Sequence, residues 1–207
     1  MIDAATGTGR RLLVVGLGNP EADYGGTRHN IGADVVRLLA SRHHTSLARN
    51  KRINAEAAEV RLGGGARLDL VIPSTYMNTS GGPVQAAARW YSSDLADTVV
   101  IHDDIDLDVG RLRCKRGGGH GGHNGLRDVD RALGSRDYLR VRIGVGRPPG
   151  RQPARDHVLR RFSASDREVV DIVAEHAADA VELLATDDVE AVQNRYHGLD
   201  AAGRDGS

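Results

Sequence analysis

Short apolar runs alternate with segments of helical character along most of this chain. Residues 12–17 and 99–102 are apolar runs of strand length, and residues 67–73 are a further predicted strand. Between them, residues 31–41 place apolar side chains at the spacing of one helix face, and Asn30 or Thr27 could cap that helix. Residues 80–91 are predicted to form a helix that Ser80 caps. Strands that alternate with helices predict the α/β class, in which helices pack against a central sheet.

The remaining elements follow from the same patterns. Ser165 and Glu168 have the spacing of a capping box, so a long amphipathic helix is predicted from there to residue 184. The other predicted helices are 126–133 and 188–196, and the other predicted strands are 54–62, 112–115 and 138–145.

The length of the chain predicts one domain. At 207 residues it is long enough to bury a hydrophobic core without being divided. We expect the core to span residues 11–196, with polar tails at 1–10 and 198–207. The single cysteine, Cys114, excludes an internal disulfide. Neither a secretory signal nor an apolar run of about 20 residues is present, so we expect a cytoplasmic protein without a membrane partner.

Charge is distributed unevenly, although the formal net charge is zero. Residues 111–161 contain fourteen Arg or Lys against four Asp or Glu, whereas residues 162–207 contain three against eleven. This asymmetry is compatible with a basic surface that meets a polyanion, and equally with solvated faces of helices and strands.

Four groups of polar and glycine residues follow predicted strand ends, where α/β proteins place their ligands. They are 16–20, 24–30, 77–81, and 102–104 together with 117–124. In the first group Gly16 and Gly18 begin a dinucleotide-binding fingerprint, but position 21 is Glu instead of the third glycine. A nucleotide-dependent enzyme is therefore disfavoured.

The last group contains metal-ligand types, namely His102, Asp103, Asp104, His120 and His123. However, neither a His-Glu-x-x-His motif nor a cysteine pair accompanies them. A glycine-rich loop more often lets the main chain approach a ligand closely. We therefore expect no metal and no cofactor.

A histidine and a carboxylate on these loops provide a simpler site. His29 opens a helix and Asp103 ends a central strand, so the two could meet at the sheet edge. Histidine exchanges protons near neutral pH, and a carboxylate holds one of its tautomers. Because Cys114 lies in a predicted strand and no serine stands in a nucleophile-elbow sequence, water is the expected nucleophile.

Three asparagines lie on the same loops. Asn19, Asn78 and Asn124 can donate and accept hydrogen bonds, so they could read a peptide or hold a carbonyl oxygen. The alternative is that they stabilise turns, which is common for asparagine. Residue types alone leave both possibilities open.

Taken together, the loops resemble the bacterial peptidyl-tRNA hydrolase family. The segments that carry the resemblance are 15–20 (VGLGNP), 27–30 (TRHN), 77–81 (MNTSG), 102–107 (HDDIDL), 117–126 (GGGHGGHNGL) and 142–146 (RIGVG). The resemblance implies a single compact α/β domain, a monomer, with a central, mostly parallel mixed β-sheet flanked by helices. It implies hydrolysis of the ester between a peptide and tRNA, which releases tRNA from stalled or dropped-off peptidyl-tRNA.

The resemblance also implies roles for particular residues. His29 would be the general base and Asp103 its orienting partner, without a metal. The residues expected to bind substrate are Asn19, Tyr24, Tyr76, Asn78 and Asn124, and those expected to line the cleft are Met77 and His123. Arg113, Lys115 and Arg142 would contact tRNA phosphates, which would make affinity dependent on salt.

Some segments depart from the family pattern. Glu21 stands where many relatives have glycine, and residues 147–155 are rich in proline and arginine without an assigned role. After Ser165 the likeness is looser. Two further functions remain open: a non-catalytic RNA-binding protein, and a hydrolase of the same fold that acts on another aminoacyl or peptidyl ester.

Overall fold

Seven strands and seven α-helices are present in residues 9–203, the part of the chain that the computed structural model describes. The strands are β1 (Arg11–Gly16), β2 (Ala48–Asn50), β3 (Ala55–Arg61), β4 (Arg67–Pro73), β5 (Thr98–Asp104), β6 (Leu112–Arg116) and β7 (Leu139–Gly144). The helices are α1 (Glu21–Tyr24), α2 (Ile31–Arg42), α3 (Gly81–Tyr91), α4 (Asn124–Leu133), α5 (Ala154–Val158), α6 (Ala164–Leu184) and α7 (Val189–Tyr196).

The strands form one mixed sheet in the order β2-β3-β4-β1-β5-β7-β6. The four central strands, β4, β1, β5 and β7, run parallel, whereas β2, β3 and β6 pair antiparallel at the two sides. The predicted α/β class with a mixed sheet is therefore confirmed. Because the central strands are parallel, their carboxyl ends meet at one edge of the sheet, which is where ligands bind in such folds.

Helices cover both faces of the sheet, and each face has its own apolar core. On one face α2 and α6 pack on alternate residues of the central strands, such as Val14 and Ile101. On the other face α3 and α4 pack on the intervening residues, such as Val15 and Val100. Burial on both faces explains why these strands are continuous apolar runs in the sequence.

Gly32 lets the first turn of α2 lie directly on the sheet. A Cβ atom at this position would lie 2.2 Å from the carbonyl oxygen of Ile101 and 2.8 Å from the main chain of Leu17. This close approach brings the turn before α2, residues 28–30, to the carboxyl end of β5.

Gly32→Ala is expected to lower the free energy of unfolding by about 1–3 kcal/mol, because the clash is with main chain that cannot move aside. Urea denaturation measures this value. Gly82→Ala is the control, since a Cβ there meets open space at the start of α3 and should leave stability unchanged or slightly raised. Equal stability of the two variants would contradict this explanation of Gly32.

One predicted helix cap was wrong, and another was right in position only. The hydroxyl of Ser163, not Ser165, accepts the N–H of Asp166 at 3.1 Å and begins α6. Ser80 precedes α3, but its hydroxyl donates to the carbonyl of Met77. The first N–H of α3, that of Gly81, donates instead to the carboxylate of Asp128 on α4, at 2.7 Å.

The structure describes only part of each predicted tail. Residues 1–8 and 204–207 lie outside the described residues. Within the second tail, Asp200 forms an isolated bridge with Arg111 and an ion pair of 3.1 Å. Among residues 9–203, no helix combines the length and the apolar character that crossing a bilayer requires.

Candidate active site

A cleft of about 780 Å³ opens at the carboxyl ends of the parallel strands. It collects residues from all four groups of loops that the sequence indicated. The predicted site residues in its lining are Asn19, Tyr24, His29, Tyr76, Met77, Asn78, Asp103, Lys115, His123, Asn124 and Arg142. Arg113, the remaining one, does not line the cleft.

His29 and Asp103 lie in direct contact inside this cleft. The distance from His29 Nδ1 to Asp103 Oδ1 is 2.7 Å, and both residues are buried. A carboxylate accepts hydrogen bonds, so the proton lies on Nδ1 of the imidazole. The other ring nitrogen, Nε2, is then the unprotonated one and can accept a proton.

His123 donates a second hydrogen bond to the same carboxylate oxygen. Its Nε2 lies 3.0 Å from Asp103 Oδ1, while its Nδ1 accepts the N–H of Leu126 and so caps α4. The Nδ1 atom must therefore be unprotonated, and the proton of a neutral His123 is on Nε2. Asp103 thus accepts from two imidazoles, one of which is fixed by a helix end.

Electrostatics keeps Asp103 ionised. Burial alone would raise the pKa of this carboxyl, but the His29 and His123 rings and their hydrogen bonds lower it by more, to well below its usual range. For His29, burial alone would lower the pKa, but the charge of Asp103 and its hydrogen bond raise it above the ordinary value of 6.5. Asp103 therefore stabilises the protonated form of His29.

His102 is a buried residue that sequence reasoning considered only as a metal ligand. Its Nδ1 lies 2.7 Å from the carbonyl oxygen of Asp103, and its ring lies edge-on to that of His123. Burial and the nearby His123 lower the pKa of His102 to about 3, so this ring is neutral at physiological pH. Such a ring adds no positive charge next to the His29–Asp103 pair.

His29, Asp103 and His123 also form a possible metal-ligand set, because one ligand atom of each lies within 4.8 Å of the others. The nitrogen atoms that face Asp103 are the ones that donate hydrogen bonds to it. A metal ion bound between them would have to displace both protons. The two imidazole nitrogens that face Asp103 are thus satisfied by its carboxylate without an ion.

Asn19 is held by three hydrogen bonds. Its Oδ1 accepts the N–H of Met77 at 2.8 Å, and its main chain pairs in both directions with the side chain of Asn30, at 2.9 and 3.0 Å. Asn30, which the sequence suggested as a helix cap, makes no capping hydrogen bond. It joins the loop after β1 to the turn before α2 instead.

The other predicted substrate residues surround this centre. Asn78 lies in a 3₁₀ turn at Met77–Thr79, and Asn124 is the first residue of α4. Tyr24 and Tyr76 meet edge to face, with ring centroids 6.4 Å apart, and Tyr76 is 54% exposed. The two rings form an aromatic wall at the mouth of the cleft.

The predicted phosphate contacts lie on β6 and β7. Arg113 is directly opposite Arg142 in the antiparallel pair, and Arg142 also bonds Asp104 at 2.8 Å. Burial and neighbouring arginines lower the pKa of both the Arg113 guanidinium and the Lys115 ammonium. The positive charges repel one another, and an anion bound between them would relieve this repulsion.

Arg140 was not predicted as a site residue, although it is almost fully buried in the cleft wall. Its guanidinium donates to the carbonyl oxygens of Gly118 and Gly119 at 2.7 and 2.8 Å and bonds Asp130 at 3.3 Å. It thereby supports the glycine-rich loop that leads to His123. The sequence did contain a signal for this role, namely an arginine within a predicted central strand. Such an arginine rarely occurs without a buried partner.

The fold and the cleft define an α/β protein with a carboxylate-oriented histidine at the carboxyl edge of its sheet. The family model for "Peptidyl-tRNA hydrolase" matches residues 13–204. Peptidyl-tRNA hydrolase of Frankia alni is 54% identical over 187 residues, which cover 90% of this chain and 94% of that protein. The Mycobacteroides abscessus protein of the same name is 50% identical over 186 residues, again 90% and 94% of the two chains.

Solved structures similar to this chain carry the same name as its relatives by sequence. A crystal structure of peptidyl-tRNA hydrolase from Acinetobacter baumannii superposes with a TM-score of 0.85 at 34% identity, covering 92% of this chain and 96% of that one. A mutant of the same protein gives a TM-score of 0.88 at 33% identity, covering 94% and 98%. The chain belongs to the peptidyl-tRNA hydrolase family.

Proposed function

We propose that this protein hydrolyses the ester bond between a peptide, or an N-blocked aminoacyl group, and tRNA, and thereby returns free tRNA to translation. The observation that carries the proposal is the buried contact of 2.7 Å between His29 and Asp103 in the cleft. Family membership supports the reaction, since the relatives and solved structures are named as peptidyl-tRNA hydrolases.

In the proposed mechanism, the unprotonated Nε2 of His29 takes a proton from water as the water oxygen attacks the ester carbonyl. Asp103 holds the ring in the required tautomer and stabilises the imidazolium that forms. The amide of Asn78 or Asn124 donates to the developing oxyanion. Return of the proton to the ribose oxygen releases tRNA, so the step needs no metal and no cofactor.

Substrate recognition is assigned to two parts of the cleft. Asn19, with Tyr24 and Tyr76 beside it, would contact the peptide end and distinguish a blocked amino group from a free one. Lys115 and Arg142 would contact phosphates at the tRNA acceptor end, with Arg113 beside them outside the cleft. We further propose a cytoplasmic monomer, in keeping with an RNA substrate and the absence of a membrane-spanning helix in residues 9–203.

Single-turnover hydrolysis of N-acetyl-aminoacyl-tRNA, run beside free aminoacyl-tRNA and with a chelator present, tests this function. We expect rapid hydrolysis of the blocked substrate only, at a rate that the chelator does not change. Binding of tRNA without hydrolysis would favour the RNA-binding alternative. Loss of activity with the chelator would contradict metal independence.

The double substitution Arg113→Ala with Lys115→Ala is expected to raise the KM for tRNA substrates. It should also reduce the dependence of binding on salt, by about one unit of slope for each phosphate that the variant no longer binds. KM measured between low and moderate salt gives both values. Arg49→Ala with Lys51→Ala, two exposed cations outside the cleft, is the matched control. Unchanged KM and salt slope in the first variant would refute the phosphate contacts.

A further inference from the structure

Arg28 carries a buried charge that the proposed mechanism does not use. It immediately precedes His29 in a 3₁₀ turn at Arg28–Asn30, and only 11% of its side chain is exposed. Burial lowers the pKa of its guanidinium, although an arginine remains charged in proteins. Because a buried charge destabilises a fold unless partners compensate it, the groups around Arg28 indicate what it does.

Apart from Asp166, those groups belong to one segment, residues 160–162. The guanidinium Nη1 donates to the carbonyl oxygen of Arg161 at 2.8 Å and to that of Arg160 at 3.3 Å. The main-chain N–H of Arg28 also donates to Arg160, at 3.1 Å, and Thr27 forms an isolated bridge with Arg161. The guanidinium lies 5.1 Å from the ring of Phe162. Arg28 therefore fastens the turn that holds His29 to this segment.

The same segment continues from the rim of the cleft. Helix α5 ends just before it, and the lining of the cleft includes Ala154, Arg155, Val158 and Leu159. One side chain thus connects the rim to the turn that carries the proposed base. Arg28 also forms an ion pair with Asp166, at 3.5 Å, and the charge of this carboxylate favours the protonated guanidinium. Because the carboxylate is 36% exposed, solvent screens part of this interaction.

We propose that Arg28 is a positioning residue for ester hydrolysis. Its hydrogen bonds to the carbonyls of residues 160 and 161 hold the His29 ring against Asp103 and hold α5 at the mouth of the cleft. The inference rests on the proposed function, because it takes His29 as the base. Since Arg28 acts through the main chain of its neighbour, its loss is expected to change kcat more than KM.

Arg28→Lys tests this, because lysine keeps the charge but is shorter and lacks the rigid fork that places Nη1 on the two carbonyls and Nη2 toward Asp166. Misplacing a reacting group by about 1 Å costs about 10²-fold in rate, so we expect kcat for N-acetyl-aminoacyl-tRNA to fall by about 10- to 100-fold. KM should stay near the wild-type value. The kinetic pKa of His29 should decrease, because contact with Asp103 is what raises it.

Arg167→Lys is the matched control. Arg167 also lies over the Phe162 ring, at 5.9 Å, and pairs with Asp34 at 3.5 Å, but it makes no hydrogen bond to residues 160 and 161 within the described chain. Its kcat and kinetic pKa are expected to equal those of the wild type. Both variants are assayed below their Tm, so that a lower stability does not appear as a lower rate.

A second readout needs no turnover. In proton NMR, the Nδ1–H of His29 bonded to Asp103 should be protected from exchange in the wild type and the control, and exposed to exchange in Arg28→Lys. If Arg28→Lys does not fold, Arg28→Gln replaces it, because a neutral amide leaves no buried charge. A folded Arg28 variant with wild-type kcat, kinetic pKa and NMR protection would overturn the inference. An inactive wild type would overturn the proposed function, and with it this inference.

Discussion

Replacing His29 by alanine is expected to abolish nearly all turnover of N-acetyl-aminoacyl-tRNA while tRNA binding remains largely intact. General-base catalysis increases the rate by about 10²- to 10⁴-fold. Among the described residues, 9–203, His29 is the cleft base that Asp103 orients through Nδ1, and its Nε2 can accept the proton of water. Because phosphate contacts supply most of the affinity for nucleic acid, removing the imidazole should change binding little.

Single-turnover rates and an equilibrium binding measurement separate these two effects. His43→Ala is the matched control, since His43 also faces a carboxylate, Glu182 at 3.0 Å, but does not line the cleft. Its turnover should be normal. Near-normal turnover by His29→Ala would refute the assignment of the base.

Replacing Asp103 by asparagine is expected to have the second-largest effect, a decrease in kcat of about 10²- to 10⁴-fold. The substitution nearly preserves shape but removes the charge that stabilises the imidazolium form of His29. It also lets the amide donate to Nδ1 of His29, which would leave the proton on the wrong nitrogen. Rates of single turnover at saturating enzyme measure the effect.

Asp69→Asn is the control for this substitution. Asp69 is also a buried strand carboxylate, bonded to Arg11 at 2.6 and 2.9 Å, but it lies away from the cleft. It should lower stability and leave kcat unchanged. A similar loss of kcat in both variants would show that Asp103 acts only through folding.

The main elements of the fold could be predicted because their apolar patterns are strong. Runs such as Val99–Ile101 are buried on both faces of the sheet, and α2 carries a regular apolar stripe. Strand β2 and helices α1 and α5 were missed for physical reasons. The four residues of α1 include no buried side chain and so no apolar stripe. The three residues of β2 are half-buried or exposed and lack an apolar pattern, and α5 follows a proline-rich loop that conceals its start.

For the candidate site, the sequence predicted which loops form the site, but it did not predict the contacts among their side chains. Asn30 was considered as a helix cap, whereas it binds the main chain of Asn19. In the sequence, Arg28 and Arg140 are not distinguished from other charged residues. Only the tertiary structure shows that each donates hydrogen bonds to main-chain carbonyls of a segment at the cleft. Such contacts depend on segments far apart in sequence, which local patterns do not encode.

The central claim is that His29 is the base that activates water to attack the peptidyl-tRNA ester, and that Asp103 raises the pKa of this base. The pH dependence of single-turnover hydrolysis tests this claim most directly. Only unprotonated His29 accepts a proton, so the rate should rise with pH and level off above a pKa higher than 6.5. In Asp103→Asn the stabilising charge is absent while burial persists, so the same transition should occur at lower pH, at a much lower rate. A wild-type rate that does not change through this range, or an unshifted transition in Asp103→Asn, would contradict the His29–Asp103 mechanism.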